Sequence, residues 1–451
     1  MRALIVSYSF PPVGGAGVQR VLKLAKYLPA YGITPALLTV ENPSVPVRDA
    51  SLERDVPLGL EIVRAKTLEP AYATKERLRT ERTDGRSFTS RMSVRLLKLG
   101  SHCLVPDPQV LWLPAARRAL MTRISRGVDD LVFISAPPFS QFYLAPLARL
   151  RPGTGVVLDY RDEWGMTGRS NGTESSAAAS VGALIERGLL RCAHAVTTAT
   201  AAYRSELCAR FGFLDRARVH AIPNGYDPDD FSTDLPRPSG DHFVLTYVGT
   251  IFPLTSARSL LEAVRRLHAR APELARKLRL RFIGRIVEAE ARHFEGTEAL
   301  GVERLGYLEH ERAIDELAKA HAVVCILDAV PGAERVYPAK IFEIMYLRRP
   351  CLVLAPNGAL ADLVRRHRVG EVVSSRDVVA IASSLERMLR AFEAGTAPLT
   401  SAPIDIDHFD RRHQAGQFAE VFRAAVSAAR ATPREAAAPV ARAMATRSGC
   451  P

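Results

Sequence analysis

The sequence predicts an α/β protein made of two doubly wound parallel-sheet domains. Three observations carry this. The chain has 451 residues, more than one hydrophobic core organises. Apolar, β-branched runs of strand length alternate with helix-period segments, the pattern of a parallel sheet covered on both faces. That alternation stops at 222–242, IPNGYDPDDFSTDLPRPSGDH, where Pro, Gly, Asp and Ser dominate without an apolar period, and then restarts.

In order, the first unit reads as strands at 4–7, 35–39, 131–135, 156–159 and 195–198, with helices at 18–31, 141–150 and 181–192. The opening MRALIVSYSF has one Arg and a short apolar stretch that runs straight into PPVGGAG, so it reads as a first strand and not a signal peptide. The second unit reads as strands at 242–248, 280–283, 322–327 and 351–354, separated by helices at 256–271, 310–320 and 338–347. An amphipathic helix follows near 409–428, then an Ala/Pro/Arg-rich end. The expected partition is 1–225, a linker at 226–241, a second domain at 242–405, a C-terminal helix at 406–430 and a disordered tail at 431–451.

With 47% apolar and 24% charged residues the composition is that of an ordinary globular protein, and no apolar run approaches the ~20 residues that cross a bilayer. Six scattered cysteines, at 103, 192, 208, 325, 351 and 450, form neither CxxC pairs nor His-partnered sets. Neither a disulfide framework nor a zinc site is expected, and a reducing cytoplasm fits. The net charge is +13, and between Arg64 and Arg126 fourteen Lys/Arg stand against five Asp/Glu. There Met92, Leu96, Leu99 and Cys103 form one helical stripe beside a second of Arg91, Arg95, Lys98 and His102. This is the pattern of an interfacial helix on anionic lipid, or of a core-facing helix with solvated cations. No module or aromatic interleaving points to nucleic acid.

Two motifs suit a phosphorylated ligand. After the first strand, SFPPVGGAGVQR places Gly14, Gly15 and Gly17 before a helix, where backbone amides approach an anion at the positive helix end. The spacing lacks the third glycine of a dinucleotide turn, although Glu41 stands where such a ribose would want an acid, so a nicotinamide oxidoreductase is disfavoured. In ERVYPAKIFEIMYLRRPCLVLAP (334–356), Pro338 suits a first helical turn, and Lys340 and Glu343, three apart, share one face. A cation with the helix end can hold a diphosphate, and a carboxylate can accept both ribose hydroxyls. A surface ion pair is the structural alternative.

Here the chain resembles retaining GT-B-fold glycosyltransferases of family 4. FEIMYLRRPCLVLAP is similar to their donor-site segment, and PPVGGAGVQR, LDYRDEW, IPNGYDPDDF, YVGTI, FIGRI and LGYLEHERAIDELAKAHAVVCIL follow the family's order across residues 1–430. The resemblance implies two Rossmann-like domains facing across a cleft, with a C-terminal helix returning to the first. It also implies transfer of a sugar from a nucleoside diphosphate to an acceptor hydroxyl, with retention and without a metal or other cofactor. By the same resemblance Glu343 would bind the ribose and Lys340 the diphosphate or donor sugar. Gly14, Gly15 and Gly17 would line the cleft, and Tyr307 and Leu308 would meet the base. Asp159, Arg161 and Asp162 would orient the acceptor or donor sugar, or cap a turn as a structural cluster.

The chain departs from the family in two places. Arg335 stands where the first Glu of the family's Glu-(seven residues)-Glu box belongs, with Glu334 one position away. Thr250 replaces the usual Arg after the VG strand, leaving Arg258 or Arg285 as substitute cations. The expected acceptor is a glycan or lipid-linked hydroxyl in cell-surface polysaccharide or glycolipid synthesis, at the cytoplasmic face of the membrane. A nucleotide-sugar epimerase and a non-catalytic docking relative are the rival readings, because fold alone does not choose among them.

Overall fold

The structure is a computed structural model that describes residues 1–75, 105–166, 176–397 and 401–431. The basic stripes at 91–103 and the tail at 432–451 lie outside them. The first sheet has seven parallel strands in the order β3-β2-β1-β4-β5-β6-β7. These are β1 Arg2–Val6, β2 Thr34–Val40, β3 Glu61–Ala65, β4 Leu131–Ala136, β5 Gly155–Tyr160, β6 Ala195–Thr198 and β7 Val219–Ala221. Helices α1 Ala16–Tyr27, α2 Leu113–Arg126, α3 Ser176–Leu190 and α4 Ala201–Arg210 connect them. Every residue of β4 and β5 is buried, as strands covered on both faces must be.

The second sheet has six parallel strands in the order β10-β9-β8-β11-β12-β13. They are β8 Phe243–Val248, β9 Leu278–Ile283, β10 Val302–Gly306, β11 Ala322–Ile326, β12 Cys351–Leu354 and β13 Gly370–Val373. Around them lie α5 Arg258–Arg270, α6 His310–Lys319, α7 Lys340–Leu347, α8 Ala359–Arg366 and α9 Val378–Glu393. The last helix, α10 Arg411–Ala431, crosses back to the first sheet, where Phe418 and Phe422 pack on Phe133 with ring centroids 5.5 and 5.1 Å away. The outward crossing runs beside the return: the Tyr226 N–H donates to the Phe409 carbonyl and the Arg411 N–H to the Tyr226 carbonyl. No helix among the described residues is long and apolar enough to cross a membrane.

Nine strands were foreseen, and they include every one with a continuous apolar run among the described residues. The four others, β3, β7, β10 and β13, are the outer strands of the two sheets. An edge strand is covered incompletely and carries polar residues, as in EIVRA and VERLG, so its apolar pattern is broken. The single helix expected at 141–150 is instead a 3-10 turn, Phe139–Leu144, followed by one helical turn, Ala145–Ala148. Pro146 lies at that break and has no amide to continue the ladder.

Candidate active site

Both sheets reverse their strand order beside their first strand. In the first, β1 pairs with β2 on one side (Ile5↔Leu37) and β4 on the other (Ile5↔Phe133). In the second, β8 lies between β9 (Thr246↔Arg281) and β11 (Thr246↔Val323). Loops diverge at such a switch point and open a crevice at the strand C-termini. Here the two crevices face each other and merge into one cavity of roughly 890 Å³, within the usual range for small-molecule sites. Tyr8 and Ser9 after β1, and Pro137 and Pro138 after β4, line one wall; Gly249 and Thr250 after β8, and Leu327 after β11, line the other.

On the second wall, residues 336–340 bring the N-terminal end of α7 to the cavity. The Ile341 and Phe342 N–H groups donate to the Pro338 and Ala339 carbonyls at 3.1 and 3.4 Å, so it is the helix dipole that makes this end attractive to an anion. Lys340 lines the cavity, and its Nζ donates to Glu343 Oε2 at 2.7 Å. Glu343 is buried one turn further along, beneath the lining. The two residues thus form the ion pair that their spacing allowed, with Lys340 at the cavity lining and Glu343 behind it.

On the first wall, Arg161, Asp162 and Gly17 line the cavity. The Arg161 guanidinium donates to the carbonyls of Gly17 and Pro137, tying the glycine turn to the proline turn. A Cβ at Gly17 would lie 2.9 Å from Arg161 Nη1, so a side chain there would push the guanidinium off the Gly17 carbonyl. Asp162 is exposed at this wall.

Asp159 does not reach the cavity, which corrects its assignment to acceptor or sugar binding. It is completely buried, with Arg20 Nη2 at 2.8 Å from Oδ1 and Arg20 Nε at 3.0 Å from Oδ2. Ser135 Oγ (2.6 Å) and Thr197 Oγ1 (2.7 Å) supply the remaining donors. Burial alone would raise this carboxyl, but the Arg20 charge and these hydrogen bonds hold it below the usual carboxylate range. Arg20 also donates to the carbonyls of Ile222 and Pro223 and sits 4.9 Å from the Phe418 ring centroid. Asp159 therefore fastens α1, the outgoing chain and α10 to the first sheet.

None of the remaining candidates lines the cavity. Gly14 gives room to a residue of the other domain: its Cβ would fall 2.7 Å from Tyr307 Oη. That hydroxyl donates to Asp49 Oδ2 at 2.9 Å, so Tyr307 is docked against the first domain. Gly15 is exposed just before α1, and Leu308 is half-buried; neither lines the cavity. Arg258, expected as a substitute phosphate cation, is exposed at the start of α5 and also outside the lining, because it is the first helical residue beyond the loop that does contribute. Arg285 reaches across to Tyr72 Oη at 3.1 Å. Glu334 is exposed, accepts from the Gly332 N–H at 3.1 Å and pairs with Arg335. Arg335 itself grips Glu163 of the first domain through Nε–Oε1 at 2.5 Å and Nη2–Oε2 at 2.9 Å.

Sequence reasoning passed over several residues that structure this site. Asp107 lines the cavity, its Oδ2 accepting the Phe139 and Ser140 N–H groups at 2.6 and 3.0 Å, and burial pushes its carboxyl up. Its signal was an acid between two prolines, VPDP. Asp49, Asp230 and His310 form interdomain contacts; Asp230 and His310 fall inside the IPNGYDPDDF and LGYLEHERAIDELAKAHAVVCIL segments, but nothing there singles them out as contact residues.

Residues 13–230 match the family model described as Glycosyltransferase Family 4, and residues 242–391 match the one described as Glycosyl transferases group 1. No curated protein sequence matches the chain. Among solved structures, the chain is similar to Anabaena HepE in complex with UDP and glucose, at 15% identity and a TM-score of 0.60, over 93% of this chain and 98% of that one. It is similar to a sucrose-phosphate synthase from Thermosynechococcus elongatus at 16% identity and a TM-score of 0.57, over 99% and 98%. It is also similar to WaaG, a glycosyltransferase involved in lipopolysaccharide biosynthesis, at 14% identity and a TM-score of 0.56, over 95% and 98%. At such identities the likeness is one of fold, the two-domain GT-B arrangement.

Proposed function

We propose that this chain, built from two glycosyltransferase domains in the GT-B fold, transfers a hexosyl group from a nucleoside diphosphate to an acceptor hydroxyl, with retention at the anomeric carbon. The observation that carries the reading is the cavity between the two switch points, with Lys340 and the start of α7 on one wall. A nucleoside diphosphate would lie along that wall, its ribose toward Glu343. As the anomeric C–O bond breaks, negative charge builds on the leaving diphosphate, where Lys340 and the helix end stabilise it without calling for a metal. The acceptor oxygen bonds to the anomeric carbon from the same face, and its proton passes to the departing phosphate oxygen. The closed domains keep water from the donor.

The complex of HepE with UDP and glucose, and the role of WaaG in lipopolysaccharide biosynthesis, support a nucleotide-sugar donor and an acceptor in cell-surface glycan or glycolipid synthesis. Work at the cytoplasmic face of the membrane, with peripheral attachment, completes the reading. The test is a thermal-stability screen with UDP, dTDP, GDP and ADP, where one diphosphate at a hundred times its Kd should stabilise by about 2.7 kcal/mol. NMR of the product's anomeric centre then reads retention. Absence of any stabilisation would sink the reading, and conversion of the nucleotide sugar without acceptor would favour the epimerase.

A further inference from the structure

His310, the first residue of α6, is buried and is held from three directions. Its backbone N–H donates to Asp49 Oδ2 at 2.9 Å. Asp49 belongs to the first domain and is itself fixed by the Ser51 N–H and Oγ at 3.1 and 2.5 Å. The ring Nε2 lies 3.2 Å from Asp230 Oδ2, on the segment leaving the first domain. Asp230 is in turn paired with Lys23 of α1, which also bonds Asp55 (2.6 Å) and Asp227 (2.7 Å). The third direction is the cavity: ring Nδ1 lies 3.4 Å from Lys340 Nζ.

The donor and acceptor roles follow from the partners. Burial would raise Asp230, but the hydrogen bond from His310 and the Lys23 charge bring its carboxyl below its ordinary range, so it is an ionised acceptor. Nε2 faces that carboxylate and can donate to it, while Nδ1 faces the Lys340 ammonium and can accept from it. An ammonium has three N–H donors. One from Lys340 goes to Glu343 and one to His310, which leaves the third for the cavity that Lys340 lines.

We propose that His310 is a positioning residue that aims Lys340 at the donor diphosphate and ties that aim to the docking of the first domain. The proposal rests on the donor-site reading above. When the domains part, Asp49 leaves the start of α6, and the His310 ring loses the frame that holds Nδ1 toward Lys340. The site would then present a set cation only when closed, when the donor is shielded from water.

The two ring nitrogens can be separated by substitution. An Asn places its amide near Nδ1 and can still accept from Lys340; a Gln reaches the Nε2 position, bonds Asp230 and leaves Lys340 without its partner. The quantity to measure, by calorimetry, is the preference for the best-binding diphosphate of UDP, dTDP, GDP and ADP over its own nucleoside. His310→Gln should lose about tenfold of that preference with nucleoside affinity unchanged, and His310→Asn should stay within about threefold of wild type. In a Lys340→Ala background, His310→Gln should cost nothing further, which separates positioning from a general loss of stability. Equal losses in the Asn and Gln variants, or an undiminished cost in the Lys340→Ala background, would overturn the proposal. A wild type that binds nucleoside and diphosphate equally would instead overturn the donor-site reading, and the proposal with it.

Discussion

The two ends of the five-residue stretch Asp159–Glu163 carry the same chemical device for different ends. At one, Asp159 meets Arg20 in a two-pronged pair wholly inside the first domain, with Ser135 and Thr197 completing its bonds. At the other, Glu163 meets Arg335 in a two-pronged pair across the cleft. The inner pair fastens elements that never separate in the folded state. The outer pair joins the loop that leads into α7 to the opposite wall, and the Thr200 hydroxyl, donating to the Arg335 carbonyl at 2.7 Å, reinforces it. Arg335, eight residues before Glu343, serves domain contact through its guanidinium. An identical ion pair is thus structural or conformational according to whether its partners belong to one rigid unit.

Breaking the inner pair should have the largest effect. Arg20→Met leaves the Asp159 carboxylate buried without its cation and should destabilise the first domain by about 3–5 kcal/mol, read from denaturant unfolding. A loss below about 1 kcal/mol would show that the Arg20–Asp159 pair does not fasten these elements. Next comes the cavity cation. Lys340→Ala should lower the transfer rate about a hundredfold, the scale of losing one group that stabilises developing charge, with unfolding little changed. A purely structural Lys340 would show the reverse.

The outer pair should be weaker, because Arg335 remains partly accessible to water. Arg335→Ala should raise KM several-fold and widen the distribution of interdomain distances measured by paired spin labels. The double exchange Arg335→Glu with Glu163→Arg should restore part of both. No change in distances would leave the closed arrangement to the hinge contacts alone. The smallest effect at neutral pH concerns His194, beside β6 inside the first domain. Its Nδ1 accepts the Val156 N–H at 3.0 Å, and burial, then the Arg149 and Arg218 charges, lower its pKa to about 3. The unfolded chain takes up this proton first, so the contribution is complete above about pH 6.5 and is lost as pH falls toward 3. Across that window stability should decline by about 1.4 kcal/mol per pH unit for this group, and His194→Gln should flatten the slope.

Much of this architecture was legible because the interior strands of both sheets are covered on two faces, which writes unbroken apolar runs such as LVFISA and AVVCI. The edge strands were not legible, since half-covered segments tolerate charge. In the site, Lys340 and Glu343 could be paired from their spacing on one helix. Asp159 looked available because it ends a strand at the ligand edge, and nothing local shows that Arg20 of α1 would close over it. The pairing of His310 with Asp230, Asp49 and Lys340 could not be found: these partners lie 30 to 261 positions away in the chain, and only the fold brings them together.

The claim on which the rest depends is that the wall formed by α7 holds the nucleoside diphosphate. Calorimetric titration of wild type and Glu343→Ala with the diphosphate that stabilises the protein most tests it directly. Loss of the ribose contact should weaken binding about tenfold, or about 1.4 kcal/mol, while leaving the unfolding midpoint close to wild type. Equal affinity in the two proteins would contradict the account and place the nucleotide elsewhere in the cleft.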